Sequence, residues 1–216
     1  MKITMMVLLF ISLNSPVFAS EVFTTFPDKI EADQKYVFYS HGYIVEGDNP
    51  KPIHPRWGVY DFPAIKEKLA DENYNLIAYH RSKNIKTKLF VKKLVKDVQK
   101  LLSQGVKANN IYLLGFSQGG AISILTADQL ANNKINLIIL AGCSNFIKNS
   151  PSIKVYGRVL SIYETSDRIG SCQFLIDRSK DIHSFKEISI STGKEHGAFY
   201  QPIDEWIVPV KEWIKL

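Results

Sequence analysis

The segment from residue 110 to residue 132 limits the possible folds of this chain more than any other part of it. An apolar run over 110–114 predicts a strand, the sequence Gly115-Phe116-Ser117-Gln118-Gly119 follows, and 118–132 predicts a helix. A serine between a strand and a helix lies on a sharp turn that exposes its hydroxyl, and glycines two residues away on either side leave room for that turn. The helix N-terminus also favours negative charge on a nearby oxygen. The spacing therefore predicts that Ser117 is a nucleophile.

Short apolar segments alternate with longer amphipathic ones through the rest of the chain. Strands are predicted over 35–40, 75–79, 110–114, 136–141, 158–163 and 186–190. Helices are predicted over 62–72, 86–104 and 118–132, and the final segment, 203–216, contains Pro209, which should kink or divide it. Apolar strands separated by amphipathic helices are typical of a parallel sheet that is covered on both faces. The sequence therefore predicts an α/β protein with a mostly parallel sheet, in one domain over residues 20–216.

This order of elements resembles the α/β-hydrolase fold, and the string GFSQGGA over residues 115–121 is similar to the nucleophile turn of the carboxylesterase and acyl-protein thioesterase branch. The resemblance covers most of the chain as an order of elements, but specific motifs occupy only four short stretches. It implies a serine hydrolase that cleaves a carboxylic ester or thioester through an acyl-enzyme on Ser117. Only residues 142–157 are available where many α/β-hydrolases insert a lid, so we expect a minimal cap or none.

The resemblance implies an acidic residue after the nucleophile and a histidine after the acid. Asp167 matches the aspartate that the family commonly has just beyond the strand predicted over 158–163. Glu164 stands where the family often has glycine, so it is the alternative acid. We expect Asp167 to be the acid of the catalytic triad, and Glu164 remains open.

Five histidines occur in the chain, and His183 and His196 are the two that follow the acid candidates. His196 lies between Gly193 and Gly197, which would let a loop carry the imidazole over the edge of the sheet, and this loop resembles the histidine loop of the family. We expect His196 to take the proton of the serine, with His183 as the alternative. The acid would fix the tautomer of the histidine and stabilise the imidazolium.

Two backbone N–H groups are predicted to stabilise the oxyanion of the intermediate. One belongs to Gln118, directly after the nucleophile, and the other to Tyr43, because His41-Gly42-Tyr43 resembles the HG-x turn of the family. The loop that follows, residues 44–60, should line one side of the substrate cleft. Its candidate lining residues are Glu46, His54, Arg56, Trp57 and Tyr60.

The two cysteines are candidates for a disulfide. Cys143 and Cys172 should both lie near the C-terminal edge of neighbouring strands, and a disulfide between them would be stable in an oxidising compartment outside the cytoplasm. It would close a loop of about 30 residues and stabilise the fold by ~3–4 kcal/mol in the loop-entropy account. Two free buried thiols are the alternative.

Residues 1–19 have the three regions of a secretory signal peptide. Met1-Lys2 is a short basic start, 3–13 is apolar, and Val17-Phe18-Ala19 provides small residues for cleavage after Ala19. The apolar run is shorter than the ~20 residues of a membrane span, so a transmembrane anchor is disfavoured. We expect an exported protein, periplasmic or extracellular, without stable membrane insertion.

Composition and charge exclude several classes of protein. Hydrophobic residues at 45% and charged residues at 22% are ordinary for a globular domain and exclude a disordered chain. The net charge of +6 includes a lysine row on one helix, at Lys88, Lys92, Lys96 and Lys100. Such a row is typical of a solvated helix face and less often indicates binding to anionic lipid or polysaccharide.

The predicted export argues against a nucleic-acid partner. No metal-ligand spacing or phosphate loop occurs, so no cofactor is expected.

Fold alone does not determine a substrate, so three other functions stay open. A peptidase or an acyltransferase could use the same triad. A binding protein of the same fold could keep the nucleophile turn without catalysis, and the glutamate at position 164 is the feature that supports this alternative. The main prediction is a hydrolase of a small-molecule ester or acyl compound.

Overall fold

A computed structural model describes residues 22–216 of the chain. The predicted signal peptide, 1–19, lies outside the described residues and stays a prediction. Within the described part, no helix is both long enough and apolar enough to cross a membrane.

The fold is built on one seven-stranded sheet in which all neighbouring strands are parallel. The strands are β1 (Val22–Phe23), β2 (Tyr36–Ser40), β3 (Ile53–His54), β4 (Gly58–Val59), β5 (Asn75–Ile77), β6 (Ile111–Phe116), β7 (Asn136–Leu140), β8 (Gly157–Glu164) and β9 (Ile182–Ile190). The order in the sheet is β1-β5-β2-β6-β7-β8-β9, and β3 and β4 form a separate antiparallel hairpin. The prediction of a mostly parallel sheet is confirmed.

Helices cover both faces of this sheet. They are α1 (Phe62–Leu69), α2 (Thr87–Ser103), α3 (Gln118–Leu130), α4 (Asn145–Lys148), α5 (Gln173–Asp177) and α6 (Asp204–Lys215). Alternate residues of each central strand face opposite sides, so Val37 and Tyr39 pack in the layer of α1 and α6, while Tyr36 and Phe38 pack in the layer of α2 and α3. The central strands are therefore buried on both faces, as their continuous apolar sequences predict.

Three local predictions differ from the structure. β9 begins at Ile182, earlier than the predicted 186, because Ile182 and Ser184 pair with Gly157 and Arg158 of β8, with His183 as the extra residue of a bulge between them. Leu89, which the periodicity of α2 places on its apolar stripe, is 57% exposed. Pro209 lies inside α6 and does not divide it.

The connection between β7 and β8 contains only the four-residue helix α4. No lid domain stands over the C-terminal edge of the sheet in the described part of the chain. Because all strands of the sheet run in one direction, the loops after β2, β6, β7, β8 and β9 meet at that edge. These loops carry Tyr43, Ser117, Asp167 and His196, and α3 begins at Gln118.

Candidate active site

Ser117 lies on a strained turn between β6 and α3. Its backbone has φ 55° and ψ −118°, in a region that residues with a side chain rarely adopt. A Cβ atom at Gly115 would lie 2.1 Å from the Gly119 oxygen, and one at Gly119 would lie 1.9 Å from the Ser40 oxygen. The glycines on both sides are therefore required for the strand and the helix to approach each other.

Ser117, His196 and Asp167 form a continuous hydrogen-bonded series. His196 Nε2 lies 2.8 Å from Ser117 Oγ, and His196 Nδ1 lies 2.5 Å from Asp167 Oδ2. The side chains of His196 and Asp167 are 11% and 5% exposed. With the proton on Nδ1 donated to the carboxylate, Nε2 is free to accept the serine proton.

His183, the alternative histidine, lies in the edge strand β9 with its side chain exposed to solvent. It makes no hydrogen bond to Ser117, Asp167 or Glu164 in the described part of the chain. The structure therefore brings His196, and not His183, to the predicted nucleophile.

Glu164, the alternative acid, is fully buried and makes no hydrogen bond to His196. Its Oε1 accepts from the backbone N–H groups of Thr192 at 2.9 Å and Gly193 at 3.1 Å, and its Oε2 accepts from the backbone N–H of Ser166 at 2.6 Å and from the hydroxyl of Ser166 at 2.5 Å. Burial disfavours the charged carboxylate, but the hydrogen bonds outweigh burial and lower the pKa of Glu164. Glu164 thus joins the loop that carries Asp167 to the loop that carries His196.

The two predicted oxyanion donors, Tyr43 and Gln118, both line the cleft beside Ser117. Each is the first residue of a helical segment, so its N–H has no partner within that segment. Among the described residues, neither N–H donates a hydrogen bond to any other group. Both amides are therefore available to a ligand in the cleft.

The hairpin of β3 and β4 covers the histidine from the other side. Trp57 lies with its ring centroid 5.3 Å from that of His196, and its Nε1 donates to the Glu195 carboxylate at 3.1 Å. Arg56 forms an ion pair with the same carboxylate. These two hydrogen bonds lower the pKa of Glu195 and tie the hairpin to the residue next to His196.

Two residues of the loop 44–60 do not line the cleft as predicted. Glu46 is buried behind the loop because it pairs with Arg81. Tyr60 is buried because it stacks on Tyr200, and its hydroxyl accepts from the Gly42 N–H at 3.3 Å. The other three residues, His54, Arg56 and Trp57, do line the cleft.

Arg81 lies beside the site, although no motif in the sequence predicts it there. Its side chain is fully buried and donates to the carbonyl oxygen of His41 at 2.7 Å. One feature of the sequence could have indicated this position. Arg81 is a charged residue that comes two positions after the predicted apolar strand NLIAY, at the edge of the sheet where the other site residues lie.

Cys143 and Cys172 form the predicted disulfide, with their Cα atoms 5.4 Å apart. The bond joins the loop after β7 to the start of α5. Cys172 N–H also donates to Glu187 Oε1 of β9 at 2.8 Å. The disulfide therefore connects the loop after β7 to the far end of the loop after β8, which carries Asp167.

The cleft above Ser117 has a volume of about 1270 Å³ and is open to solvent. One wall is apolar and lies between α2, α3 and α4, and the opposite wall is the aromatic hairpin. The apolar wall contains Val91, Ala121, Leu125 and Phe146. Among the described residues, no three His, Cys, Asp or Glu side chains converge to hold a metal ion; the expectation of no cofactor stays a prediction.

Comparison with solved structures places the fold in a known class. The protein SOBER1 from Arabidopsis thaliana superimposes with a TM-score of 0.56 at 15% identity, over 84% of this chain and 98% of that chain. The esterase PE8 gives a TM-score of 0.55 at 14% identity, over 85% of this chain and 93% of that chain. A serine hydrolase without a lid from Xanthomonas campestris gives 0.55 at 13% identity, over 88% of this chain and 83% of that chain. The fold is that of the α/β-hydrolases.

The sequence profile of the phospholipase/carboxylesterase family matches residues 70–184, which is more than half of the chain. The chain belongs to this family and is a carboxylesterase-like hydrolase. A comparison with curated protein sequences gives no match.

Proposed function

We propose that this protein is an exported serine hydrolase that cleaves a carboxylic ester or thioester through an acyl-enzyme on Ser117. The observation that carries the proposal is the hydrogen-bonded series Ser117–His196–Asp167, which lies at the floor of an open cleft. Membership of the phospholipase/carboxylesterase family supports the same reaction.

In the first half of the reaction, Ser117 Oγ attacks the carbonyl carbon of the substrate while His196 Nε2 takes the serine proton. The oxygen that becomes negative accepts hydrogen bonds from the N–H groups of Tyr43 and Gln118. His196 then gives its proton to the leaving alcohol or thiol, and the acyl group stays on Ser117. Asp167 remains a carboxylate and stabilises the imidazolium.

In the second half, a water molecule takes the place of the leaving group. His196 removes a proton from the water as it attacks the acyl carbon, and the same two N–H groups stabilise the second oxyanion. The acid then leaves, and Ser117 regains its proton from His196. Water has direct access to this step because the cleft is open.

The lining of the cleft supports a small-molecule ester as the substrate. Its apolar wall suits an acyl or alkyl group, and a pocket of this kind is typical of sites for largely apolar ligands. Among the compared structures, PE8 is described as an esterase, which is the same type of reaction.

Export is supported by the signal-peptide pattern of residues 1–19 and is consistent with the disulfide. Expression in a bacterium, followed by separation of the periplasm and medium and intact-mass measurement, tests it. A mature chain that begins at Ser20 is expected, whereas a full-length chain that stays in the cytoplasm would contradict export.

Hydrolysis of p-nitrophenyl esters by the purified protein tests the reaction. We expect Ser117→Ala and Asp167→Asn to reduce kcat by about 10⁴-fold or more, as in other serine triads. Ser144→Ala is the matched control, because Ser144 lines the same cleft without a hydrogen bond to His196, and it should keep wild-type kcat. Two further assays of the wild type separate ester hydrolysis from the alternatives. Acyl transfer to added alcohols tests the transferase alternative, and cleavage of peptide substrates tests the peptidase alternative.

A further inference from the structure

Arg81 is a buried cation directly behind the oxyanion loop, defined as residues 41–43. Its side chain is 0% exposed and that of its ion-pair partner Glu46 is 3% exposed. Arg81 Nη2 donates to the His41 oxygen at 2.7 Å, to the Gly42 oxygen at 3.4 Å, and to the side-chain oxygen of Gln118 at 3.4 Å. One guanidinium therefore connects the oxyanion loop to the first residue of α3.

The peptide group between Gly42 and Tyr43 is fixed through its carbonyl oxygen. His41 Nδ1 donates to the Gly42 oxygen at 2.7 Å, while His41 Nε2 accepts from the Arg81 backbone N–H at 3.0 Å. Burial, and then the nearby Arg81 cation, lower the pKa of His41 to about 2, so the ring is neutral and the two contacts fit one tautomer. Because a trans peptide points its C=O and N–H in opposite directions, fixing the Gly42 oxygen turns the Tyr43 N–H away from Arg81.

The preceding peptide group, between His41 and Gly42, is fixed at both of its polar atoms. Its oxygen accepts from Arg81, and its N–H donates to the Tyr60 hydroxyl at 3.3 Å. The Tyr60 hydroxyl is itself 2.9 Å from that of Tyr39. The loop thus has little freedom to rotate its peptide groups.

We propose that Arg81 is a positioning residue of the oxyanion hole: it holds the carbonyl oxygens of His41 and Gly42 so that the Tyr43 N–H faces the cleft beside that of Gln118. A cation at the carbonyl oxygen also polarises the peptide group and makes its N–H a stronger donor. A buried ion pair commonly stabilises a fold no more than apolar residues of the same volume do. We therefore attribute the presence of the Arg81–Glu46 pair to the orientation of the oxyanion loop and not to the stability of the fold. The inference rests on the proposed function.

The test replaces the ion pair by apolar residues of similar volume, in the double variant Arg81→Met with Glu46→Leu, which leaves no unpaired charge in the core. Arg81→Lys is the second variant, since it keeps the charge but loses the planar guanidinium that places Nε on Glu46 while Nη2 reaches the carbonyl oxygens. The surface pair Lys68–Asp204, changed to Lys68→Gln with Asp204→Asn, is the control. The readouts are kcat and KM for an acetyl ester, the affinity for an alkyl trifluoromethyl ketone, and the melting temperature.

We expect kcat/KM to fall by about 10- to 100-fold in the double variant and by less in Arg81→Lys, almost entirely through kcat, since removal of a whole oxyanion donor costs about 10²–10³-fold. The ketone forms an oxyanion with the serine, so its affinity should fall by the same factor, and the control should match the wild type. Unchanged kcat/KM, or a loss of kcat/KM without a loss of ketone affinity, would overturn the inference. A wild type that neither hydrolyses the ester nor binds the ketone would instead refute the proposed function, and this inference with it.

Discussion

Ser117, Asp167 and His196 follow three different strands of one parallel sheet, β6, β8 and β9. The direction of the strands brings them to one edge, which is why their order and the strand pattern predict that these residues meet. The choice between Asp167 and Glu164 could not be made from local sequence alone, because both come soon after the strand predicted over 158–163. In the structure the buried Glu164 carboxylate faces backbone N–H groups, while Asp167 faces the imidazole.

Glu164→Gln is expected to loosen both loops of the site. The amide NH₂ group would face N–H or O–H donors on whichever side it lies, because both carboxylate oxygens accept two hydrogen bonds. Leaving buried donors unsatisfied costs ~1–3 kcal/mol, so the free energy of unfolding should fall by about that amount in urea titrations. kcat should also fall while KM changes little, because Asp167 and His196 lose their fixed separation.

Thr165→Ala is the control for this prediction. Thr165 is exposed in the same loop, and among the described residues its hydroxyl hydrogen-bonds only to that of Ser191. Wild-type kcat is expected for the control. If Glu164→Gln also kept wild-type kcat and stability, the role of Glu164 in joining the loops would be refuted.

At the scale of residues, Arg81 and Glu46 are contacts that sequence patterns cannot predict. Each contacts groups about 35–40 positions away in the chain, and the burial of each depends on the other. A periodicity or a motif reports on neighbours along the chain, so Glu46 was expected in the cleft and Arg81 was not expected in the site at all.

At the scale of elements, apolar continuity predicted the central strands well because those strands are buried on both faces. The predictions of element boundaries failed where packing against a neighbouring element, and not the local sequence, determines the backbone conformation. β9 extends to Ile182 through pairing with β8, although its first residues are mostly polar. α6 continues through Pro209 because a buried stripe that includes Trp206, Val210 and Trp213 holds it, and the carbonyl of Glu205 that loses its partner belongs to an exposed residue.

The disulfide is expected to act on stability more than on catalysis. Replacing Cys143 and Cys172 by alanine opens a loop of about 30 residues, which should lower the free energy of unfolding by ~3–4 kcal/mol. kcat at 25 °C should stay near that of the wild type, because Cys172 lies at the end of this loop next to α5, whereas the Glu164 carboxylate binds Ser166, the direct neighbour of Asp167. Urea unfolding and ester hydrolysis measure the two effects, with reduced wild type as the comparison. An equal loss of kcat in this variant and in Glu164→Gln would contradict this division.

At the scale of the whole molecule, the positive charge has a structural explanation. Lys88, Lys92, Lys96 and Lys100 are exposed along α2, whose opposite stripe packs in the core. The cleft opens at the edge of the sheet without a covering domain among the described residues, in agreement with the short connection over 142–157. Three of these lysines therefore lie only on the solvated face of α2, while Lys88 also lines the cleft.

Acidification is expected to destabilise the fold below pH 6.5 through His41. Burial lowers the pKa of this histidine from 6.5 to about 2, so the unfolded chain binds a proton that the folded protein excludes. Unfolding therefore takes up a proton between these values, and the His41 contribution to the free energy of unfolding falls by about 1.4 kcal/mol per pH unit well below pH 6.5. Urea titrations at pH 7.0, 5.5 and 4.5 measure this slope.

His41→Gln is the matched variant, since glutamine does not titrate and offers both a donor and an acceptor. Its stability should depend less on pH over the same range, although it starts lower at pH 7. Equal slopes for the wild type and His41→Gln would show that His41 does not exclude a proton in the folded state.

Covalent labelling with a fluorophosphonate tests most directly the claim that Ser117 is an activated nucleophile. One probe per molecule is expected by intact mass, located by peptide mapping on the peptide that contains Ser117. Labelling should be lost in Ser117→Ala, slowed in His196→Ala and unchanged in Ser144→Ala. A folded wild type that does not react, or a probe that still attaches to Ser117→Ala, would contradict the account.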